Sequence, residues 1–267
     1  MTKIVAIGDI MGKAGRRVLD ELLPKVRAQF EPDFIVANGE NAAGGKGLTK
    51  KVYKQLTQQM GIDCLTMGNH WHDKPEIYDY FPHTDNIVLP ANMANVKNEH
   101  DGLRIITTKG GERIAVINLV GKAFMVGQNR CPFEAADKLM ESVPDDVKIR
   151  LVDMHAEATS EKQGIGHYLT GRASLVYGTH SHVPSADTRV FEAKTGYITD
   201  IGMSGPYDSV IGVRKEAAIL RMRTGERKKF EPATGDPWLC FVVANVDSAS
   251  GQCESLERYI WKLSENS

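Results

Sequence analysis

The residues of this 267-residue chain that could do chemistry stand where apolar runs stop. Phe34, Ile35 and Val36 lead into Ala37-Asn38-Gly39-Glu40-Asn41, so a buried strand would deliver Glu40 and Asn41 into a crevice. Glu40 is the candidate for a carboxylate shared between two metal ions. Its partners follow other apolar runs in the same way: Asp9 after IVAIG, Asn69 and His70 after CLTMG, His155 after IRLVDM, and His180 with His182 after SLVYG. Oxygen and imidazole donors of this kind suit Mn, Fe or Zn rather than Cu(I) or an iron-sulfur cluster. The pair His180 and His182, read as alternate positions at a strand end, would put two imidazoles on one side of the chain. Singly, Asp9 reads as a turn former and His155 as a hydrogen-bonded core residue. The joint pattern points to a dinuclear centre.

Positioning such a centre requires parallel strands. IVAI, FIVAN and CLTMG are buried strands separated by helical patterns, an order that predicts right-handed crossovers and a parallel sheet. The first helix shows Val18, Leu19, Leu22, Leu23, Val26 and Phe30 on one face, with Pro24 expected to kink or divide it. The second carries Val52, Tyr53, Leu56 and Met60, with Thr49 as N-cap. RIITTKGGERIAVINLV reads as a hairpin turning at Lys109-Gly110-Gly111-Glu112, so antiparallel pairing is mixed in. Pro132 would begin another helix, and WLCFVVANV with LERYIWKL would form a terminal hairpin. The expected fold class is α/β, a layered α/β sandwich of two mixed β-sheets flanked by helices. Without a repeat or linker, residues 1–267 read as a single domain, with 121–143 as a small cap element or a crossover.

Lys and Arg number 33 against 34 Asp and Glu, which excludes an overall positive field for holding a long nucleic acid nonspecifically. The basic stretch Arg221, Arg223, Arg227, Lys228 and Lys229 could meet RNA ends, and a solvated loop is the competing reading. Cys64, Cys131, Cys240 and Cys253 are widely spaced, which argues against a zinc ribbon or a dense disulfide framework. No leader pattern and no long apolar segment interrupts the sequence, so a reduced, cytoplasmic setting without a membrane partner is expected. The loop GENAAGGKG fails as a Walker motif, because its lysine arrives one residue late and Gly47 follows. Gly44, Gly45 and Gly47 are expected to turn the backbone beside the metals.

The motifs GDIMG, NGENA, GNH, DMHAE and GTHSHV, in that order, resemble the YmdB-like branch of the calcineurin-like metallophosphoesterases, from Lys3 into the C-terminal strands. The wider superfamily has Asp-x-His first and a bridging Asp, where this chain has Asp9-Ile10-Met11 and Glu40. The resemblance implies that Asp9, Glu40, Asn41 and His182 hold one ion and that Glu40, Asn69, His155 and His180 hold the other. It also implies His70 as general acid, a homo-oligomer, and 2',3'-cyclic nucleotides as substrates. This chain reads GNHWHDK where family members typically read GNHTWDK, so Trp71 and His72 depart from the pattern. His72 would be a proton donor or phosphate contact, or simply structural.

From that ligand set a phosphodiesterase mechanism follows. Two ions roughly 4 Å apart, sharing Glu40 and a water, would bring that water's pKa toward about 7 for in-line attack on phosphorus. His70 would protonate the leaving oxygen. Iron is the first choice of metal, with manganese or zinc as alternatives. Asp153, Glu157 and Asp200 are expected to orient the ligand imidazoles, with helix caps or surface charges as the competing roles. The alternative functions are a phosphomonoesterase or nucleotidase using the same centre, and a regulatory nucleotide-binding protein.

Overall fold

The computed structural model describes residues 1–226 and 230–266. Its strands are β1 (Thr2–Ile7), β2 (Phe34–Asn38), β3 (Cys64–Thr66), β4 (Ile87–Val88), β5 (Leu103–Thr107), β6 (Arg113–Val120), β7 (Ile149–His155), β8 (Leu175–Thr179), β9 (Arg189–Phe191), β10 (Thr195–Ile198), β11 (Gly205–Pro206), β12 (Pro237–Val246) and β13 (Cys253–Lys262). The principal helices are α1 (Gly12–Phe30), α2 (Lys50–Lys54), α3 (Ile77–Tyr80), α4 (Pro132–Glu141), α5 (Thr159–Tyr168) and α6 (Lys215–Thr224).

Two mixed sheets result. One runs β11-β12-β1-β2-β3-β4 with β13 on β12; the other runs β5-β6-β7-β8-β10-β9. Strands β1 to β4 are mutually parallel, as are β6, β7, β8 and β10, while the β5-β6 and β12-β13 hairpins are antiparallel. The strands read as continuous apolar runs because both their faces are covered. In β1, Ile4 and Ala6 join a core that also holds Ile114, Leu151 and Tyr177 of the other sheet, whereas Val5 and Ile7 pack with Val18, Leu22 and Val26 of α1. In β7, Ile149 and Leu151 face the shared core, and Val152 and Met154 pack with Ala136 and Leu139 of α4. The layers are thus helix, sheet, sheet, helix, the sandwich predicted from the order of strands and helices.

The parallel register matters for the site. Ile7 is level with Ala37, and His155 with Val120 and Thr179, so both sheets present C-terminal strand ends to one crevice. The chains leaving those ends are tied to one another: Ile10 N donates to the Asn38 carbonyl, Gly12 N to the Asn41 carbonyl, and Gly39 N to the Thr66 carbonyl. Gly44, Gly45 and Gly47 all have positive φ, which lets the loop after Asn41 fold back.

Two local expectations are corrected. Pro24 does not divide α1, which runs unbroken through it; Pro24 and Asp20, whose carbonyl loses its helical donor, are both exposed, and water can replace the missing bond. Arg221 and Arg223 belong to α6 rather than to a loop, with Gly225 in the left-handed region closing the helix; Arg227, Lys228 and Lys229 lie outside the described residues. Within 121–143, α4 is part of the flanking layer, and Val126 to Asn129 border a cleft described below. Among the described residues no helix is long and apolar enough to cross a membrane.

Candidate metal centre

His155, the last residue of β7, is fully buried and sits at the middle of the crevice. Its Nε2 lies 3.1 Å from Glu40 Oε1, 3.0 Å from Asn69 Oδ1 and 3.1 Å from His180 Nδ1. A second group gathers beside it: His182 Nε2 is 3.2 Å from Asn41 Oδ1 and 3.8 Å from Asp9 Oδ1. Asp9 Oδ1 is 4.0 Å from His155 Nδ1 and has no hydrogen-bond partner among the described residues, although Asp9 is fully buried. All seven residues expected to be ligands, Asp9, Glu40, Asn41, Asn69, His155, His180 and His182, therefore meet in one place.

Each imidazole is held by its other nitrogen. Thr179 Oγ1 donates to Asp153 Oδ1 at 2.7 Å, so it accepts from His155 Nδ1 at 2.9 Å and leaves Nε2 facing the centre. His180 Nε2 faces Glu157 Oε2 at 3.2 Å, and His182 Nδ1 faces the Ile211 carbonyl at 2.9 Å. The amide of Asn41 donates to the Gly45 carbonyl at 3.0 Å, which turns its oxygen inward. What remains at the centre is a crowd of acceptor atoms about 3 Å apart. One proton can satisfy only one pair of them, whereas a cation satisfies them all. The donor set and the orphaned Asp9 oxygen fit metal ions well.

The electrostatics point the same way. Burial disfavours a charged His155, yet the facing Glu40, with Asp9 and Asp153 nearby, pushes it up to about 9. Burial likewise works against ionised Glu40, but His155 opposite and the His70 N–H at 2.9 Å hold its carboxyl well below the ordinary range. Burial raises Asp9, more than His182 and His155 lower it, and raises Asp153 to about 6. His180, desolvated and beside His155, is pushed down to about 3. Two fully sequestered carboxylates among three imidazoles are a costly arrangement for a metal-free core and a fitting one for cation ligands.

The backbone contributes by close approach. A Cβ on Gly68 would lie 2.3 Å from His155 Nε2 and 2.4 Å from Glu40 Oε2, inside the ligand cluster itself. Gly68→Ala is therefore expected to abolish metal loading while leaving the fold intact; metal content and circular dichroism of the purified variant check this. His180 and His182 have φ of 96° and 65°. They belong to a strained turn after β8 and not to alternate strand positions, so the strand reading of His-x-His is corrected: it is the turn that sends one ring to His155 and the other to Asn41.

His70 is beside the cluster, with its Nδ1 3.0 Å from Asp73 Oδ2. It lines a cleft of about 540 Å³ together with Asn69, Lys46, Met93, Ala94 and Val126. Of the three expected supporting carboxylates, Glu157 touches an imidazole and Asp153 acts through Thr179. Asp200 touches neither histidine and instead accepts from Ser181 N at 3.1 Å and Ser181 Oγ at 2.7 Å, because the turn points the intervening serine at it. Thr179, Asp73 and the Ile211 carbonyl were not legible as partners; only the position of Asp73 three residues after His70 offered a signal.

The family model for YmdB-like protein matches residues 5–259. A Bacillus subtilis (strain 168) protein named 2',3'-cyclic-nucleotide 2'-phosphodiesterase is 42% identical over 258 residues, which cover 97% of this chain and 96% of that one. Among solved structures, a hypothetical protein from Thermus thermophilus superposes with TM-score 0.89 at 36% identity, covering 98% of this chain and 99% of its own. A phosphatase from Mycoplasma pneumoniae does so with TM-score 0.89 at 31% identity, covering 98% and 93%. Matched from β1 into β13, the chain belongs to the YmdB-like family.

Proposed function

We propose that this chain is a metal-dependent phosphodiesterase that hydrolyses 2',3'-cyclic nucleotides, expelling the 2' oxygen and leaving nucleoside 3'-phosphates. The observation that carries the reading is the meeting of Glu40, Asn69, His155 and His180 around one point. The Bacillus subtilis relative's name supports the substrate class. Asp9, Asn41 and His182 would hold one ion, Asn69, His155 and His180 a second, and Glu40 both. When bound, the ions supply an activated water and positive charge for the phosphoryl oxygens.

The chain's own residues do the rest. Glu157, Thr179 and the Ile211 carbonyl keep the imidazole lone pairs turned inward. Asp73 engages His70 Nδ1, which makes Nε2 the nitrogen that hands a proton to the departing oxygen. His70→Ala is expected to lower kcat by about 10² to 10⁴-fold with metal content unchanged, the range typical of a lost general acid. Parallel kinetics and elemental analysis of the variant test that pairing.

Iron is the proposed metal, with manganese and zinc as the alternatives to be tried in reconstitution. A cytoplasmic, homo-oligomeric protein belongs to the same proposal, and the four unpaired cysteines accord with a reduced setting. The deciding experiment is hydrolysis of 2',3'-cyclic nucleotides against the matching 3'-monophosphates. Diester preference supports the reading; a strong monoester preference overturns it.

A further inference from the structure

The cleft beside His70 contains a hydrogen-bond chain that the hydrolytic chemistry does not use. Trp71 is buried, and its Nε1 donates to Asn95 Oδ1 at 3.2 Å. Asn95 Nδ2 in turn lies 3.1 Å from His72 Nδ1. An indole nitrogen can only donate, so it fixes the Asn95 amide with oxygen toward Trp71 and nitrogen toward His72. The amide nitrogen also only donates, so His72 Nδ1 must accept. The tautomer this contact selects carries the ring proton on Nε2. His72 lines the cleft together with Asn69 and His70 of the metal centre.

The remaining surface indicates what that proton meets. Ala94 and Val126 line the cleft with exposed apolar surface, Val126 being 83% exposed, over the buried Met93. An exposed apolar surface adjoining the candidate metal centre suits the flat face of a base, and an N–H oriented beside it suits a carbonyl or ring nitrogen on the base edge. Lys46, in the same cleft, would offer a cation to the phosphate.

We propose that His72 is a specificity-determining residue whose Nε2–H donates to an acceptor on the nucleobase, with Trp71 and Asn95 as the positioning residues that hold that proton in place. This rests on the diesterase reading and adds the recognition of the base to it. Base-free diesters are then poorer substrates than nucleotides.

The test compares the four 2',3'-cyclic ribonucleotides with base-free ribose 2',3'-cyclic phosphate, using wild type, His72→Phe and Asn95→Ala. For at least one base, His72→Phe is expected to raise KM about tenfold with kcat within about twofold, the scale of one lost neutral hydrogen bond. The base-free diester should lose a smaller factor, and Asn95→Ala should raise nucleotide KM about threefold by releasing the ring. Nitrogen-15 NMR of histidine-labelled wild type should show the His72 proton on Nε2, and this signal should shift on adding a cyclic nucleotide. Equal losses on nucleotide and base-free substrates, an unchanged KM, or a proton on Nδ1 would overturn the proposal. Should wild type hydrolyse neither kind of diester, the diesterase reading fails, and a His72 Nε2 signal moved by the nucleotide but not by the base-free ester still decides the role of His72.

Discussion

Glu40→Gln is expected to cut kcat/KM on a cyclic diester by roughly 10³-fold or more, a loss of about 4 kcal/mol in transition-state stabilisation. Glu40 is 1% exposed and has both oxygens committed, one facing His155 Nε2 at 3.1 Å and the other accepting from His70 N at 2.9 Å. The amide removes a negative charge and points hydrogens where lone pairs are needed. Because the shape is nearly unchanged, the fold should survive, and far-UV circular dichroism should match wild type while bound metal falls. Activity within tenfold of wild type would show that Glu40 is not the shared ligand.

The second large effect concerns stability. Lys162 of α5 is 1% exposed, and its Nζ donates to Asp200 Oδ2 at 2.7 Å. Asp200, itself 2% exposed, also accepts from Ser181 and, through Oδ1, from Gly202 N at 2.8 Å. Lys162→Met removes the cation and leaves a carboxylate buried among dipoles, a change that typically costs about 3 to 5 kcal/mol. For a chain of this size the melting temperature should drop by roughly 10 °C. Adding Asp200→Asn should recover much of the loss, since the unpaired charge is then gone. Urea unfolding of the two variants separates these cases: an unchanged midpoint for Lys162→Met would contradict the pair's role. Ser181 stands between His180 and His182, so weaker metal retention should accompany the single substitution.

Which parts of this architecture could be read in advance follows from the range of the interactions. Strand ends were legible because apolar runs such as IVAI and FIVAN stop abruptly at polar residues, and parallel strands with covered faces must end together. The ligands stood at those ends, so their convergence followed from the fold. The partners of the ligands did not. Thr179 is one more strand residue until its register beside His155 is known, and Asn95 lies 24 residues from Trp71 in an irregular stretch. Lys162, four residues after Ala158, looks like an ordinary helix-surface lysine, and nothing local says that its tip reaches Asp200. His180 and His182 read as strand residues because spacing alone cannot reveal a positive φ. Division of α1 at Pro24 was expected for the opposite reason: the local rule is sound, but Pro24 and Asp20 are exposed, so water can take the freed carbonyl and the helix continues.

The proposed chemistry requires these side chains to hold two cations. Elemental analysis of the protein reconstituted with iron, and in parallel with manganese or zinc, tests this most directly, with Glu40→Gln measured alongside. The expected result is two ions per wild-type chain and loss of both when the shared carboxylate becomes an amide. Fewer than one ion per wild-type chain with every metal, or full loading of Glu40→Gln, would contradict it.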